Sequence, residues 1–146
     1  PSPFIEEYMM EDAEIVLVGM GTLSLPVRVA LRRMREAGKK VGFLRVKYFR
    51  PFPADEIRQV LSQCKAVGVI DRDYSYGSPS FGGVLFHELR SALYPLERRP
   101  HVLNFIAGLG GREVLVRDVD HIVDIVQQAV DTGTVDQETT WIGVRE

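Results

Sequence analysis

"AVGVIDRDYSYGSPSFGGVLFHELRSAL", Ala66 to Leu93, holds one complete strand-to-helix unit. Ala66 to Ile70 is a short apolar run that reads as a buried strand. Leu85, Leu89, Ala92 and Leu93 recur at helical spacing and predict a helix over Val84–Leu93. Between them, Asp71–Gly83 carries two acids, an arginine, two tyrosines and three glycines. That composition suits an active-site loop, a binding loop or a surface covered by another chain.

The same alternation extends outward on both sides. Helical stripes recur at Val27, Ala30, Leu31 and Met34, at Ile57, Val60, Leu61 and Cys64, and at Val119, Ile122, Val123, Val126 and Val130. Thr22 or Ser24 with Pro26 fits the start of the first helix, and Pro53 with Asp55 and Glu56 fits the second. Gly38 and Gly133 stand where helices should stop. Short β-rich runs lie between: Ile15–Val18, Val41–Val46 and Val102–Ile106. Strands and helices in this alternation predict βαβ units and a mainly parallel sheet, with right-handed crossovers covering both faces. Phe4–Met10 offers a further strand, and its Glu6 and Glu7 disfavour a central place.

The chain has 146 residues, of which 45% are hydrophobic and 26% charged, enough for one domain with its own core. A formal net charge of −2 argues against nucleic acid or an acidic membrane as main partner. Cys64 is the single cysteine, so an internal disulfide or a cluster of thiolate ligands is excluded. A reducing cytoplasm is the expected compartment. No apolar run reaches membrane-spanning length, and the acidic first residues do not read as a signal peptide. The start at Pro1, without methionine, points to a piece of a longer polypeptide.

Parallel strands end on one edge, where ligands usually bind. Gly19-Met20-Gly21-Thr22 there is only half a dinucleotide fingerprint, without the third glycine or an acid closing the next strand, and a plain tight turn is the preferred reading. Gly82 and Gly83 allow close backbone approach or a positive φ. Gly110, Gly111 and Arg112 offer an anion nest. Arg50, Arg72 and Arg112 together form a candidate phosphate or carboxylate clamp. The plainer alternative pairs them with Asp71, Asp73 and Glu113. The histidines lack metal spacing, Cys64 falls on an apolar stripe, and Trp141 reads as an anchor on this domain or a partner. No catalytic constellation is present.

Several strings together resemble one family: "EEYMMEDAEIVLVGMGT" (Glu6–Thr22), "VGFLRVKYFRPFP" (Val41–Pro53), "AVGVIDRDYSYGSPSFGGVLFHELRSALY" (Ala66–Tyr94), "NFIAGLGGRE" (Asn104–Glu113) and "WIGVRE" (Trp141–Glu146). They are similar to the carboxy-terminal domain of the alpha subunit of pyruvate synthase-type enzymes, the 2-oxoacid:ferredoxin oxidoreductases. The resemblance implies a transketolase C-terminal-domain-like α/β fold. That is a three-layer α/β/α sandwich whose five-stranded, mostly parallel sheet has an antiparallel first strand, supplied by Phe4–Met10. It implies a domain over 1–135, with an edge strand and lead-in over 1–12, and a tail over 136–146.

The family, as the resemblance implies it, oxidatively decarboxylates a 2-oxoacid, yielding acyl-coenzyme A and reduced ferredoxin. It uses thiamine diphosphate, Mg²⁺, iron–sulfur clusters and coenzyme A, in anaerobic metabolism. The family's diphosphate motif and cluster cysteines are absent from this sequence, whose only asparagine is Asn104. The expectation is therefore a fragment that binds no cofactor or metal and does not turn over alone. Its expected partners are a preceding pyrimidine-binding domain, thiamine diphosphate-binding and iron–sulfur subunits, ferredoxin through the complex, and a second copy. Arg50, Phe52, Asp71, Arg72, Tyr74, Tyr76, Gly82, Gly83, Gly110, Gly111, Arg112 and Trp141 are the candidate interface or anion-contact residues. The competing reading is a stand-alone module holding an anion or nucleotide, such as the phosphates of coenzyme A. A third is a pure dimerisation domain.

Overall fold

The structure, a computed structural model, describes residues 3–20, 25–72, 82–108 and 114–143. Along the chain these form β1 (Ile5–Tyr8), β2 (Ile15–Met20), α1 (Leu25–Glu36), β3 (Val41–Val46) and α2 (Ala54–Leu61). There follow β4 (Ala66–Asp71), α3 (Val84–Leu93), β5 (His101–Ile106), α4 (Val116–Thr132) and β6 (Thr139–Trp141). One sheet runs in the order β1-β3-β2-β4-β5-β6. β1 pairs antiparallel with β3, and every other pairing is parallel. The three-layer arrangement with an antiparallel first strand agrees with the sequence.

Pleating sends alternate residues of each strand to opposite faces. Ile15 and Leu17 of β2 join Phe43 and Phe105 in a core beneath α1 and α4. Val16 and Val18 join Leu44 and Val69 in a second core beneath α2 and α3. α1 buries the four residues its spacing selects, Val27, Ala30, Leu31 and Met34. α3 buries Leu85, Leu89, Ala92 and Leu93, with Phe86 added. α4 ends at Gly133, whose φ of 74° is the left-handed cap conformation. α2 stops at Leu61, leaving Cys64 beyond its end.

The sheet departs from expectation in two ways. It has six strands, not five, because Thr139–Trp141 of the expected tail pairs parallel with β5. Asn104 donates its N–H to the Glu138 carbonyl at 2.7 Å, and Ile142 donates to the Ile106 carbonyl at 2.9 Å. Three residues are too few to display strand periodicity, so this segment is silent in the sequence. The second departure is the hand of the last crossover. The moves from β4 to β5 and from β5 to β6 cross the sheet in one direction, yet α3 and α4 lie on opposite faces. The final crossover thus has the opposite hand to its predecessor, against the strong general preference. α4 packs beside α1 and over β4, covering sheet that α1 alone leaves bare.

Candidate functional site

Five parallel strands end on one edge, and the antiparallel β1 begins there. The reversal of strand order between β2 and β4 places the switch point, the usual ligand crevice of such sheets, at this edge. The most ordered chemistry at the edge surrounds Asp71, the last residue of β4. Its Oδ1 accepts the Leu85 N–H at 3.0 Å. Its Oδ2 accepts the Phe86 N–H at 3.1 Å and an amide hydrogen from Asn104 at 2.9 Å. Asn104, fully buried on β5, also donates to the Val69 carbonyl at 2.9 Å and accepts the Gly83 N–H at 2.8 Å.

A helix start leaves its first N–H groups without intrahelical partners. Here two side chains satisfy three of them and tie β4, β5 and α3 together. Burial raises the Asp71 pKa above the ordinary aspartate value. The hydrogen bonds from Asn104, Leu85 and Phe86 and the neighbouring His87 act in the opposite direction.

Gly82 and Gly83 serve this arrangement. A Cβ at Gly83 would lie 2.2 Å from Cγ of Asp71, and one at Gly82 would lie 2.6 Å from the Phe86 ring. Neither residue has a positive φ, so close approach is the reason for glycine at both. What they approach is the chain's own carboxylate and aromatic ring. An anion bound at the start of α3 would have to displace Asp71, so Asp71, Gly82 and Gly83 do not fit a phosphate there.

Of the three arginines offered as a clamp, Arg112 lies outside the described residues. Arg50 pairs with Glu88, donates to the Phe49 carbonyl at 3.0 Å, and stacks with its guanidinium carbon 4.2 Å from the Phe49 ring centroid. The expected pairing of Arg50 or Arg72 with Asp71 is likewise replaced: Asp71 serves α3, and Glu88 takes Arg50. Arg72 is exposed and has no ionic partner among the described residues. Phe52 is half-buried against the second core and meets Phe49 edge-on at 5.9 Å, beside a cis Arg50–Pro51 peptide. Trp141 ends β6 opposite Ile106 and stays partly exposed. Tyr74, Tyr76, Gly110, Gly111 and Arg112 lie outside the described residues.

The edge is also apolar. Met20, Leu25, Tyr48, Val84, Leu115 and Trp141 lie at strand ends or helix starts there, each between 37% and 72% exposed. Tyr94 alone among the exposed large hydrophobics of the described residues sits at the opposite edge. Sequence reasoning missed Met20, Tyr48 and Leu115 because glycines and charges drew attention instead. Asn104 and Glu88 were missed because a partner across strands leaves no local signal. No group of three metal-binding side chains occurs among the described residues. No described helix is long and apolar enough to cross a membrane. Burial pushes the Cys64 thiol up to about 12, and its Sγ–H donates to the Leu61 carbonyl at 3.1 Å.

Residues 13–119 match the family described as pyruvate:ferredoxin oxidoreductase core domain II. The ketoisovalerate oxidoreductase subunit VorA of Pyrococcus furiosus is 39% identical over 140 residues, 96% of this chain and 35% of that protein. The pyruvate synthase subunit PorA of Pyrococcus horikoshii is 39% identical over 142 residues, 97% of this chain and 35% of that protein. The chain thus spans about a third of the length of these relatives. Among solved structures, a 2-oxoglutarate:ferredoxin oxidoreductase from Magnetococcus marinus, with 2-oxoglutarate, coenzyme A and succinyl-CoA bound, superposes with a TM-score of 0.61. The identity is 22%, over 86% of this chain and 19% of that one. A split-gene transketolase, an inactive beta4 tetramer, gives 0.56 at 15% identity, over 81% of this chain and 38% of that one. These two likenesses bear on fold.

Proposed function

The chain belongs to the pyruvate:ferredoxin oxidoreductase core domain II family, and from that membership we propose that it is an assembly domain of an oxidoreductase subunit, with the chemistry housed elsewhere. The observation that carries the reading is the apolar carboxyl edge: large side chains that water surrounds on this chain are those another protein surface would cover. Aromatic residues and methionine are the types enriched at such contacts. The occupant is the remainder of the same enzyme: the pyrimidine-binding domain of the same subunit and the thiamine diphosphate-binding subunit. Iron–sulfur subunits and ferredoxin would join through the complex, in the cytoplasm. Thiamine diphosphate, Mg²⁺, the clusters and coenzyme A would be held by those parts. The whole enzyme would convert a 2-oxoacid to its acyl-coenzyme A with reduction of ferredoxin.

Two features support a role away from the substrate. The α3 start is filled by Asp71, leaving it unsuited to a coenzyme A phosphate. Relatives named for ketoisovalerate and for pyruvate are equally similar, at 39% each. A domain that lacks the oxoacid pocket would show that even-handedness.

The test is immunoprecipitation of the native polypeptide carrying this domain, followed by mass spectrometry, beside a variant with Met20, Tyr48 and Leu115 changed to serine. The wild type should bring down thiamine diphosphate-binding and cysteine-rich subunits, and the variant should lose them while keeping its circular dichroism and melting temperature. Full assembly and turnover by the variant, or saturable coenzyme A binding by this chain alone, would overturn the reading.

A further inference from the structure

Ion pairing divides the surface unevenly. Seven of the described lysines and arginines sit in ion pairs, among them Arg35 near the end of α1, which pairs with Asp12. Of those without an acidic partner among the described residues, five lie on α1 and the turn after it, Arg28, Arg32, Arg33, Lys39 and Lys40, all exposed; Arg72, Arg98, Arg99 and Arg117 lie elsewhere. Only Glu36 interrupts them. The converse holds on α4, where Asp120, Asp124 and Asp131 are exposed and without a cationic partner among the described residues, interrupted by Arg117. These two helices lie side by side on one face of the sheet, with their buried stripes in the same core. Their outer surfaces therefore form one face, positive along one helix and negative along the other.

Such a face is complementary to itself in one orientation. A two-fold axis in the plane of the face and parallel to the helices sets α1 of one chain over α4 of the other, twice over. An in-plane axis across the helices would oppose like charges and is disfavoured. We propose that the α1–α4 face of this chain docks on the same face of a second copy. The proposal is independent of the assembly role given to the carboxyl edge, because the outer faces of α1 and α4 point away from the sheet plane, not along it.

Size sets the strength. At 1.5 Å per residue, α1 and α4 span about 18 and 26 Å, and helices about 10 Å wide give a face of roughly 400 Å² per chain. A total near ~800–900 Å² lies below the standard interface, so the dimer should be weak, quick to exchange and dependent on charge.

Sedimentation velocity of the 146-residue chain over a concentration series tests it, at low and high salt. The expected result is a reversible dimer whose Kd rises about tenfold or more with added salt. Arg32→Glu alone and Asp124→Arg alone should each be monomeric, since each sets like charges against each other in both halves of the contact. Mixing the two single variants should give a heterodimer, and Arg32→Glu with Asp124→Arg in one chain should restore the homodimer. Circular dichroism of each variant checks that the fold is kept. A wild type that stays monomeric at low salt overturns the proposal. So does a dimer unmoved by either single variant, which would place the contact elsewhere. Failure of the mixed variants to associate overturns the pairing of α1 with α4.

Discussion

A carboxylate buried as Asp71 is would ordinarily destabilise its own charged form, and three donors are arranged around it in answer. Removing the carboxylate leaves the N–H groups of Leu85 and Phe86 and one Asn104 amide hydrogen without acceptors. Asp71→Ala should therefore cost about 2–4 kcal/mol in urea unfolding, after relief of the buried charge is counted. Asn104→Ala should cost a similar amount, and Gly83→Ala as much or more, since its methyl would overlap Asp71. The pH dependence has a definite sign. The raised native pKa means that the native state holds this proton more tightly than the unfolded chain. The contribution of Asp71 is thus fully present at low pH and declines as pH rises from the unfolded value through the native one. Urea unfolding of wild type against Asp71→Asn should give a stability difference that falls across that interval and is flat above it. Cys64, with its thiol near 12, should resist a disulfide reagent at neutral pH until urea unfolds the chain, as timed thiol labelling would record.

Elements were legible where periodicity had room to appear. α1 and α3 bury the stripes their spacing announces, and α4 does so with Ala129 in place of the half-buried Val130, because each presents several turns to a core. β6 was not legible, since its three residues are recruited by β5 rather than by any pattern of their own. The candidate site divides along the same line. Glycines at the start of α3 stand out in the sequence, but the reason the structure gives for them lies in Asp71, Phe86 and Asn104, brought close by the pairing of β4 with β5 and the start of α3. Arg50 found Glu88, a helix residue 38 positions away, instead of the acids nearer the strand ends. Ending the chain at Val135 tests the weight of β6. The loss of Ile142 burial costs about 2 kcal/mol, and the two backbone hydrogen bonds flanking the β5–β6 ladder add about 1 kcal/mol each before the ladder's own bonds are counted. A loss of roughly 3–5 kcal/mol is expected, read as a lower urea midpoint and a lower melting temperature.

At the scale of the molecule, the cores and the proposed assembly surface lie apart. Two cores on either side of the sheet supply a folded body, and the apolar carboxyl edge stays exposed outside both. The chain alone should consume no 2-oxoacid when supplied with thiamine diphosphate, Mg²⁺, coenzyme A and an electron acceptor; measurable turnover would place catalysis within these residues. β1 runs opposite to the other strands, so Phe4 enters beside Tyr48 at that edge, with ring centroids 5.9 Å apart. β6 runs with the others, so Ile142 leaves at the same edge. With five strand spacings between them, the two ends stand about 24 Å apart on one side of the sheet. Under the proposed assembly role, a polypeptide joined at either end would be tethered at the surface it covers. Its local concentration there would be on the order of millimolar, so even a contact too feeble to hold two free proteins together would stay closed.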